Sequence, residues 1–276
     1  MLIDLHTHSH CSDGTDSPAE LMRRARVASL DVLALTDHDT SDGWGEADLA
    51  AADQGVQLIP GMEISCRHGR AGVHLLAYHL DPDYPPIAAE LDDIRVGRVN
   101  RLPAMLAGLR EAGIAITEAD VDRVSAEASS PGRPHVADAL VELGVVRDRD
   151  EAFDRYLGWG RPGYVPHYAT ELAEMIALVR LAGGVSVIAH PWGRGSRRVL
   201  TADVLADLAA IGLIGIEVDH LDHDAAARAE LREIASELGL VVTGGSDYHG
   251  TGKLDHPLGG ETTDPEQFER LQAAVP

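Results

Sequence analysis

Short aliphatic runs alternate with helical patterns along much of the chain. Each run is almost continuously apolar, which is typical of strands buried on both faces of a parallel sheet. Strands that alternate with helices predict a parallel sheet with helical crossovers, and seven runs favour a closed barrel over an open sheet. The runs occupy residues 2–5, 31–36, 56–60, 73–78, 185–189, 214–218 and 240–243.

Helix signals fill most of the intervals between these runs. Residues 17–20 (Ser-Pro-Ala-Glu) form a capping box with proline at the first helical position, and they predict a helix that ends near Ala28. Thr170 and Glu171 are predicted to begin another helix, which a glycine pair ends. The chain is therefore predicted to be an α/β protein with one helix after most strands.

The interval between the fourth and fifth runs is too long for a single crossover helix. We predict that residues 91–169 form a helical insertion, and that residues 1–90 and 170–276 together form the barrel. An insertion between strands 4 and 5 would cover the mouth of the barrel. It is therefore expected to act as a lid and to select the substrate.

The charge of the chain limits its partners. The net charge is −22, from 23 basic and 45 acidic residues. An acidic surface repels a polyanion, so stable binding of duplex nucleic acid is not expected, but bound metal ions can still attract a small phosphorylated substrate inside a cleft. The two cysteines, the missing signal-peptide pattern and the lack of a membrane-length apolar run favour a cytoplasmic protein.

Metal-binding side chains mark the ends of the predicted strands. In a β/α barrel these ends converge on one mouth, where the clustered side chains would repel each other and lose hydration unless a cation binds them. Imidazole and carboxylate groups without thiolate suit Zn, Mn or Fe, whereas Cys11 and Cys66 are interpreted as small residues in packed turns. The strand-end residues are His6, His8, Asp37, His38, Glu63, His74, His79, His190, Glu217, His220, Asp247 and His249.

These residues fall into motifs that resemble the polymerase-and-histidinol-phosphatase (PHP) superfamily. The resemblance implies a distorted seven-stranded β/α barrel with three divalent metal ions (Mn, Fe or Zn). It assigns His6, His8, Glu63 and Asp247 to the first ion, Glu63, His74 and His190 to the second, and Asp13, His38 and His249 to the third. Asp13 stands where some relatives have histidine. The motifs are Asp4-Leu5-His6-Thr7-His8-Ser9, Ser12-Asp13-Gly14, Thr36-Asp37-His38-Asp39, Gly61-Met62-Glu63, Val73-His74, Ala189-His190-Pro191 and Ser246-Asp247-Tyr248-His249.

A narrower resemblance concerns the predicted insertion. Gly132-Arg133-Pro134-His135 is similar to a branch that includes 3',5'-bisphosphonucleoside phosphatases, an AMP phosphoesterase and 5'-to-3' exoribonucleases. This resemblance implies that Arg133 binds phosphate through its guanidinium fork, with His135 beside it. His223, in a segment that also resembles the branch, is a further candidate for phosphate binding.

The expected reaction is hydrolysis of a phosphate ester. Two ions bridged by Glu63 would lower the pKa of a shared water, and the resulting hydroxide would attack phosphorus. Arg133 would offset developing charge, and Asp247 would orient the nucleophile or carry its proton. The expected substrate is a small phosphorylated molecule, such as a bisphosphonucleoside, AMP or a short RNA.

Three alternatives remain open from the sequence. One is a histidinol-phosphate-type monoester phosphatase, which would share the metals and differ in the pocket. A second is amide hydrolysis, which is disfavoured because Lys253, the only lysine, lies beyond the seventh strand. A third is a non-catalytic regulatory PHP module, although such copies usually lose ligands. The oligomeric state, the leaving-group acid and the roles of His79 and His220 also stay open.

Overall fold

Seven strands form a barrel-shaped sheet in the computed structural model, which describes residues 1–125 and 128–276. The strands follow the order β1-β2-β3-β4-β6-β7-β8, and a parallel bridge between Thr7 and Tyr248 brings the two edges together. The predicted α/β barrel is confirmed. The strands are β1 (Ile3–Thr7), β2 (Val32–Leu35), β3 (Gln57–His68), β4 (Ala71–Tyr78), β5 (Thr170–Glu171), β6 (Val185–Ile188), β7 (Gly215–Asp219) and β8 (Val241–Gly244).

The prediction of a wholly parallel sheet was wrong for β4, which runs antiparallel to β3 and to β6. The sequence interpretation ended the third strand at Pro60, but β3 continues to His68 and leaves only two residues before β4. A connection of two residues produces a hairpin, since a parallel crossover needs a dozen or more. The continuation also places Glu63 inside β3 rather than after it.

The reversal of β4 separates two histidines that the sequence placed on one strand. His74 lies in the first half of β4 and reaches the mouth of the barrel, where its Nδ1 is 2.7 Å from Glu63. His79 follows the far end of β4, and its Nε2 lies 3.1 Å from the side-chain nitrogen of Gln272 in the last helix. His79 is therefore remote from the mouth.

The helix predicted to begin at Thr170 and Glu171 begins at Leu172. These two residues form β5, which pairs in parallel with Cys66 and Arg67 of β3. By contrast, the capping box predicted at residues 17–20 is present as a side-chain cap, since Ser17 Oγ accepts a hydrogen bond from Glu20 N at 3.1 Å. The helices are α1 (Pro18–Val27), α2 (Trp44–Gln54), α3 (Pro85–Glu111), α4 (Glu118–Val124), α5 (Arg133–Glu142), α6 (Arg149–Ala152), α7 (Leu172–Leu181), α8 (Ala202–Ala210), α9 (Ala225–Leu238) and α10 (Pro265–Ala273), with a π-helical turn at Phe153–Leu157 and 3₁₀ turns at Gly193–Arg198 and Gly250–Gly252.

The long helix α3 connects two hydrophobic cores. Its first half packs into the barrel wall through Ile87, Leu91 and Ile94. Its second half belongs to a separate core with α4, α5 and α6, in which Met105 and Leu109 are buried. A separate core lets the helices between β4 and β5 hold their own shape, while α3 fixes them to the barrel. The predicted boundaries at residues 90 and 170 stay a prediction.

These helices lie against the loops at the mouth of the barrel. Arg95 Nη1 in α3 donates to Asp39 O at 2.9 Å, and Arg149 Nη1 in α6 donates to Asp13 O at 2.9 Å. Arg149 is itself held by two 2.6 Å bonds to Asp138 in α5. The contacts tie α3, α5 and α6 to the loops that carry metal-binding side chains. Within the described residues, no helix has the length and apolarity needed to cross a membrane.

Candidate metal centre

Glu63 is the centre of the cluster at the mouth. Its Oε2 lies 3.2 Å from His8 Nε2 and 3.1 Å from His38 Nδ1. Its Oε1 lies 2.7 Å from His74 Nδ1 and 3.2 Å from His190 Nε2. The side chain is 1% exposed. His6 Nε2 also lies 3.4 Å from Oε2. One buried carboxylate thus faces five imidazoles, three at Oε2 and two at Oε1, which is the arrangement that a bridging ligand requires.

Asp247 and Asp13 complete the cluster on either side of His8. Asp247 Oδ1 lies 3.5 Å from His6 Nε2 and 3.4 Å from His8 Nε2. Asp13 Oδ1 lies 3.1 Å from His249 Nε2 and 3.8 Å from His8 Nδ1. The structure therefore brings together all nine residues predicted to bind metal: His6, His8, Asp13, His38, Glu63, His74, His190, Asp247 and His249.

The residues fit divalent cations. The buried atoms His6 Nε2, His8 Nε2 and His38 Nδ1 have no hydrogen-bond partner in the described part of the chain, although carboxylate oxygens face them. Ligand atoms placed about 2.1 Å from one tetrahedral ion are about 3.4 Å apart, which matches these separations. Among the described residues, four groups of donors have ligand atoms within 4.8 Å of one another: His6, His8, Glu63 and Asp247; His38, Glu63 and His74; His8, Asp13, His38 and His249; and His220, Asp247 and His256.

Glu217 orients two of these ligands, a role that the sequence interpretation did not assign. Its Oε1 lies 3.0 Å from His6 Nδ1, and its Oε2 accepts a 2.8 Å hydrogen bond from His190 N. A carboxylate on the far nitrogen of a metal-binding histidine fixes the ring and increases its basicity. The signal was present in the sequence, since Glu217 follows the same strand-end pattern.

The cluster favours ionised carboxylates. Burial alone would raise the pKa of Glu63, but the imidazoles of His74, His38 and His6 hold it well below its ordinary value. Burial likewise opposes ionisation of Asp247, and Lys253 and His6 reverse the effect, so that its pKa also lies well below the ordinary value. Both groups therefore carry negative charge at neutral pH and are ready to bind cations.

Lys253 reaches the rim of this cluster. Its Nζ donates to Asp247 Oδ2 at 2.5 Å, and His220 Nε2 lies 3.4 Å from the same oxygen. These contacts hold Oδ2 outward, so that Oδ1 faces His6 and His8. The sequence placed Lys253 only beyond the last strand; in the structure it is paired with a predicted metal ligand as an ammonium group.

Arg133, His135 and His223, which were predicted to bind substrate, have different neighbours in the structure. The Arg133 guanidinium lies over the rings of Phe153 and Tyr164, at 5.5 and 5.7 Å from their centroids. His135 is 5% exposed, and its Nδ1 accepts the Gly132 N–H at 2.9 Å. It borders the same cavity as Asp13 and His38. The role of both residues in substrate binding stays a prediction.

His223 is the least favourably placed of the three. Its Nδ1 lies 2.9 Å from Val218 O, and its Nε2 accepts a 3.2 Å hydrogen bond from Trp192 N. Both ring nitrogens thus bond to the backbone, and contact with a phosphate would require one of these bonds to open.

A group of buried cations beside the metal ligands was missed by the sequence interpretation. Arg98 and Arg101, on α3, are 8% and 7% exposed, and Arg101 Nη1 lies 3.1 Å from His167 Nδ1. Arg98 is paired with Asp39, but the Nε atoms of both arginines and His167 Nε2 have no hydrogen-bond partner among the described residues. We call Arg98, Arg101 and Arg133 the arginine cluster.

The arginine cluster is electrostatically strained. Burial and the positive charges of Arg98 and Arg133 lower the pKa of Arg101 to about 9. Burial and the three arginines lower the pKa of His167 to about 2, and His74 adds to the effect. Arg98 also borders the cavity lined by Asp13 and His38, so the cluster lies next to predicted metal ligands. A protein with a net charge of −22 thus keeps several cations together where an anion would relieve their repulsion.

Several known proteins are similar to this chain in sequence and in fold. Residues 4–120 match the PHP domain family. The chain is 38% identical over 257 residues to the 3',5'-nucleoside bisphosphate phosphatase of Chromobacterium violaceum, covering 93% of this chain and 90% of that protein. It is 35% identical over 254 residues to a 5'-3' exoribonuclease of Haemophilus influenzae, covering 89% of each. The crystal structure of a protein from Bifidobacterium adolescentis, described as a metal-dependent phosphoesterase, matches with a TM-score of 0.95 at 36% identity, covering 99% of this chain and 96% of that one.

The barrel, the buried cluster at its mouth and these likenesses define a hydrolase that acts on phosphoesters. The chain belongs to the PHP family, which confirms the resemblance carried by the motifs.

Proposed function

We propose that the protein removes phosphate from nucleotides that carry a second anionic group, such as a 3',5'-bisphosphonucleoside or a short RNA. One observation carries the proposal: Arg98 borders the same cavity as Asp13 and His38, and the buried Nε atoms of Arg98 and Arg101 have no hydrogen-bond partner among the described residues. A substrate whose reacting phosphate lies at the metal centre can place its other phosphate against Arg98 and Arg101. The relatives named as a bisphosphate phosphatase and an exoribonuclease support the proposal.

The same cluster disfavours the histidinol-phosphate alternative. Histidinol phosphate carries an ammonium group, which Arg98, Arg101 and Arg133 would repel. A nucleotide with two phosphates carries negative charge at two positions. One phosphate would meet the metal ions, and the other would meet the arginine cluster. The retained metal ligands also weigh against a non-catalytic module, since the structure gives Glu63 and Asp247 the environment of ionised ligands.

Different residues of the site would bind the metal ions, position their ligands and bind the substrate. His6, His8, Glu63, His74 and the other predicted ligands would hold up to three divalent ions, which when bound would polarise the phosphoryl group and acidify water. Glu217 holds the ring of His6 and the backbone N–H of His190. Asp247 would orient the attacking water or accept its proton through Oδ1. Arg133 would bind the phosphate and offset its developing charge.

The helices between β4 and β5 would form the lid over this site. Arg98 and Arg101 project from α3, and Arg133 begins α5, so the proposed phosphate contacts come from these helices and the metal contacts from the barrel. A substrate bound at this site would contact both the barrel and the helices between β4 and β5. Substrate selection would therefore reside mainly in the helices.

Phosphate release from a panel of substrates tests the function. The panel contains adenosine 3',5'-bisphosphate, AMP, a short RNA and histidinol phosphate, each given to protein reconstituted with Mn, Zn or Fe. We expect the bisphosphate or the RNA to have the highest kcat/KM. A preference for histidinol phosphate, or no release from any substrate by protein that contains metal, would contradict the proposal.

Metal removal should reduce stability as well as activity. Dialysis against a chelator leaves the carboxylates and imidazoles of the cluster without a cation. A ligand at 100 times its Kd stabilises the folded state by about 2.7 kcal/mol, and each kcal/mol shifts Tm by about 2–4 °C in a chain of roughly this size. We expect Mn to raise Tm by roughly 5–10 °C in a thermal scan, and elemental analysis to find three ions per chain. An unchanged Tm with no bound metal would contradict the predicted centre.

A further inference from the structure

An exposed aromatic pair extends outward from the arginine cluster. Trp159 is 77% exposed, although aromatic residues make up only 4% of the chain. Its ring centroid lies 5.1 Å from that of Tyr164. Tyr164 in turn lies under the Arg133 guanidinium, with 5.7 Å between Cζ and the ring centroid. Two successive contacts, Arg133 with Tyr164 and Tyr164 with Trp159, therefore connect a proposed phosphate-binding residue to a large exposed aromatic face.

The backbone holds the loop that carries this pair. Arg161 N donates to Gly158 O at 3.0 Å, Tyr164 N donates to Arg161 O at 3.0 Å, and Gly163 N donates to Tyr156 O at 2.8 Å. The loop also packs tightly on α3, because a Cβ at Gly108 would collide with the carbonyl of Pro162. Trp159 is thus exposed on a loop whose shape is fixed by hydrogen bonds and close packing.

We infer that Trp159 and Tyr164 form a stacking platform for the nucleobase of the substrate, an inference that rests on the proposed nucleotide substrate. Arginines that hold phosphate next to an aromatic face are the combination that binds single-stranded nucleotides, since every base has a π-face. The Tyr164 ring centroid lies 5.7 Å from Arg133 Cζ and 5.1 Å from the Trp159 ring centroid, so the aromatic face adjoins a proposed phosphate contact. Stacking of a base would remove the exposed face of the Trp159 indole from water and so stabilise the complex. A sugar phosphate without a base cannot stack on this face.

The test compares a substrate with its base-free counterpart. The substrates are adenosine 3',5'-bisphosphate and 1-O-methylribose 3,5-bisphosphate, and the variants are W159A, W159F and the control L49A. Leu49 is 75% exposed on α2 and lies outside the proposed site. For W159A we expect the ratio of kcat/KM for the nucleotide to that for the sugar bisphosphate to fall roughly tenfold, mainly through KM. W159F should retain most of the ratio, and L49A all of it.

A binding measurement separates this inference from the proposed function. Of the three tryptophans, Trp192 is buried and Trp44 is half-buried, so Trp159 provides the exposed fluorescence. In full-length protein dialysed against a chelator, adenosine 3',5'-bisphosphate should quench this signal, and W159F should lose the quenching. A ratio unchanged in W159A, or equal losses on both substrates, overturns the platform even if nucleotides are hydrolysed. If wild-type protein hydrolyses no nucleotide, the proposed function fails, and the absence of quenching would overturn the platform as well.

Discussion

The Glu63→Gln variant is expected to lose about 1000-fold or more in kcat while keeping its fold. Glutamine has the same shape as glutamate, so the buried site between β3 and the imidazoles stays filled. It removes the negative charge that faces His8, His38, His74 and His190 and cannot bridge cations with two equivalent oxygens. The measurement is kcat on the preferred substrate, with bound metal counted by elemental analysis and the fold checked by circular dichroism.

Glu217→Gln is the matched control for this variant. Glu217 is also a buried carboxylate of the barrel, but it contacts His6 through the nitrogen that faces away from the predicted ions. Loss of such an outer contact typically costs about 10- to 100-fold in metal affinity or activity. Similar losses in the two variants, or activity within tenfold of wild type for Glu63→Gln, would show that Glu63 does not bridge the centre.

Most residues of the candidate metal centre could be selected from the sequence because they follow a local rule. A buried strand that ends in histidine or carboxylate carries its own signal, and the barrel brings separate strand ends together. That reasoning located His6, His38, His190 and Asp247 without knowledge of the exact strand bounds. It also allowed His74 to be included, although the direction of its strand was wrong.

The direction of β4 was harder to predict from the sequence. The apolar pattern of a strand is the same in either direction, so only the connection length distinguishes a hairpin from a crossover. Because polar and apolar residues alternate between Gly61 and His68, this segment lacks the continuous apolar run of the other strands, and the connection was read as long. The same error assigned His79 to the mouth together with His74, whereas His79 follows the end of β4 that lies away from the mouth.

The arginine cluster was not predictable from local pattern. Arg98 and Arg101 are three residues apart in a long helix with many charged side chains, where an arginine is ordinarily solvated. Their burial arises because α3 continues from the barrel wall into the second core, where Arg98 meets Asp39 and Arg101 meets His167. Lys253 was missed for a similar reason, since its contact with Asp247 depends on the fold of the segment after β8.

The Arg101→Met variant is expected to become more stable and less active on bisphosphorylated substrates. Arg101 is 7% exposed, and its charge faces Arg98 and Arg133. Replacing such a buried charge by a side chain of similar volume should raise the free energy of unfolding by about 1–2 kcal/mol, even after loss of the bond to His167. Without the guanidinium, the second phosphate loses a charged hydrogen bond, and kcat/KM for adenosine 3',5'-bisphosphate should fall roughly 10- to 100-fold.

Two comparisons make this prediction specific. The corresponding monophosphate lacks the group that Arg101 would bind, so its kcat/KM should fall much less, and the control Arg23→Met changes an exposed arginine on α1 that pairs with Glu20. Urea unfolding at pH 7.5 without phosphate gives the stability, and adding inorganic phosphate should stabilise wild type more than the variant. Equal kinetic losses on both substrates would assign Arg101 to the reacting phosphate instead. A loss of stability together with activity would show that Arg101 supports the packing of α3 rather than an anion site.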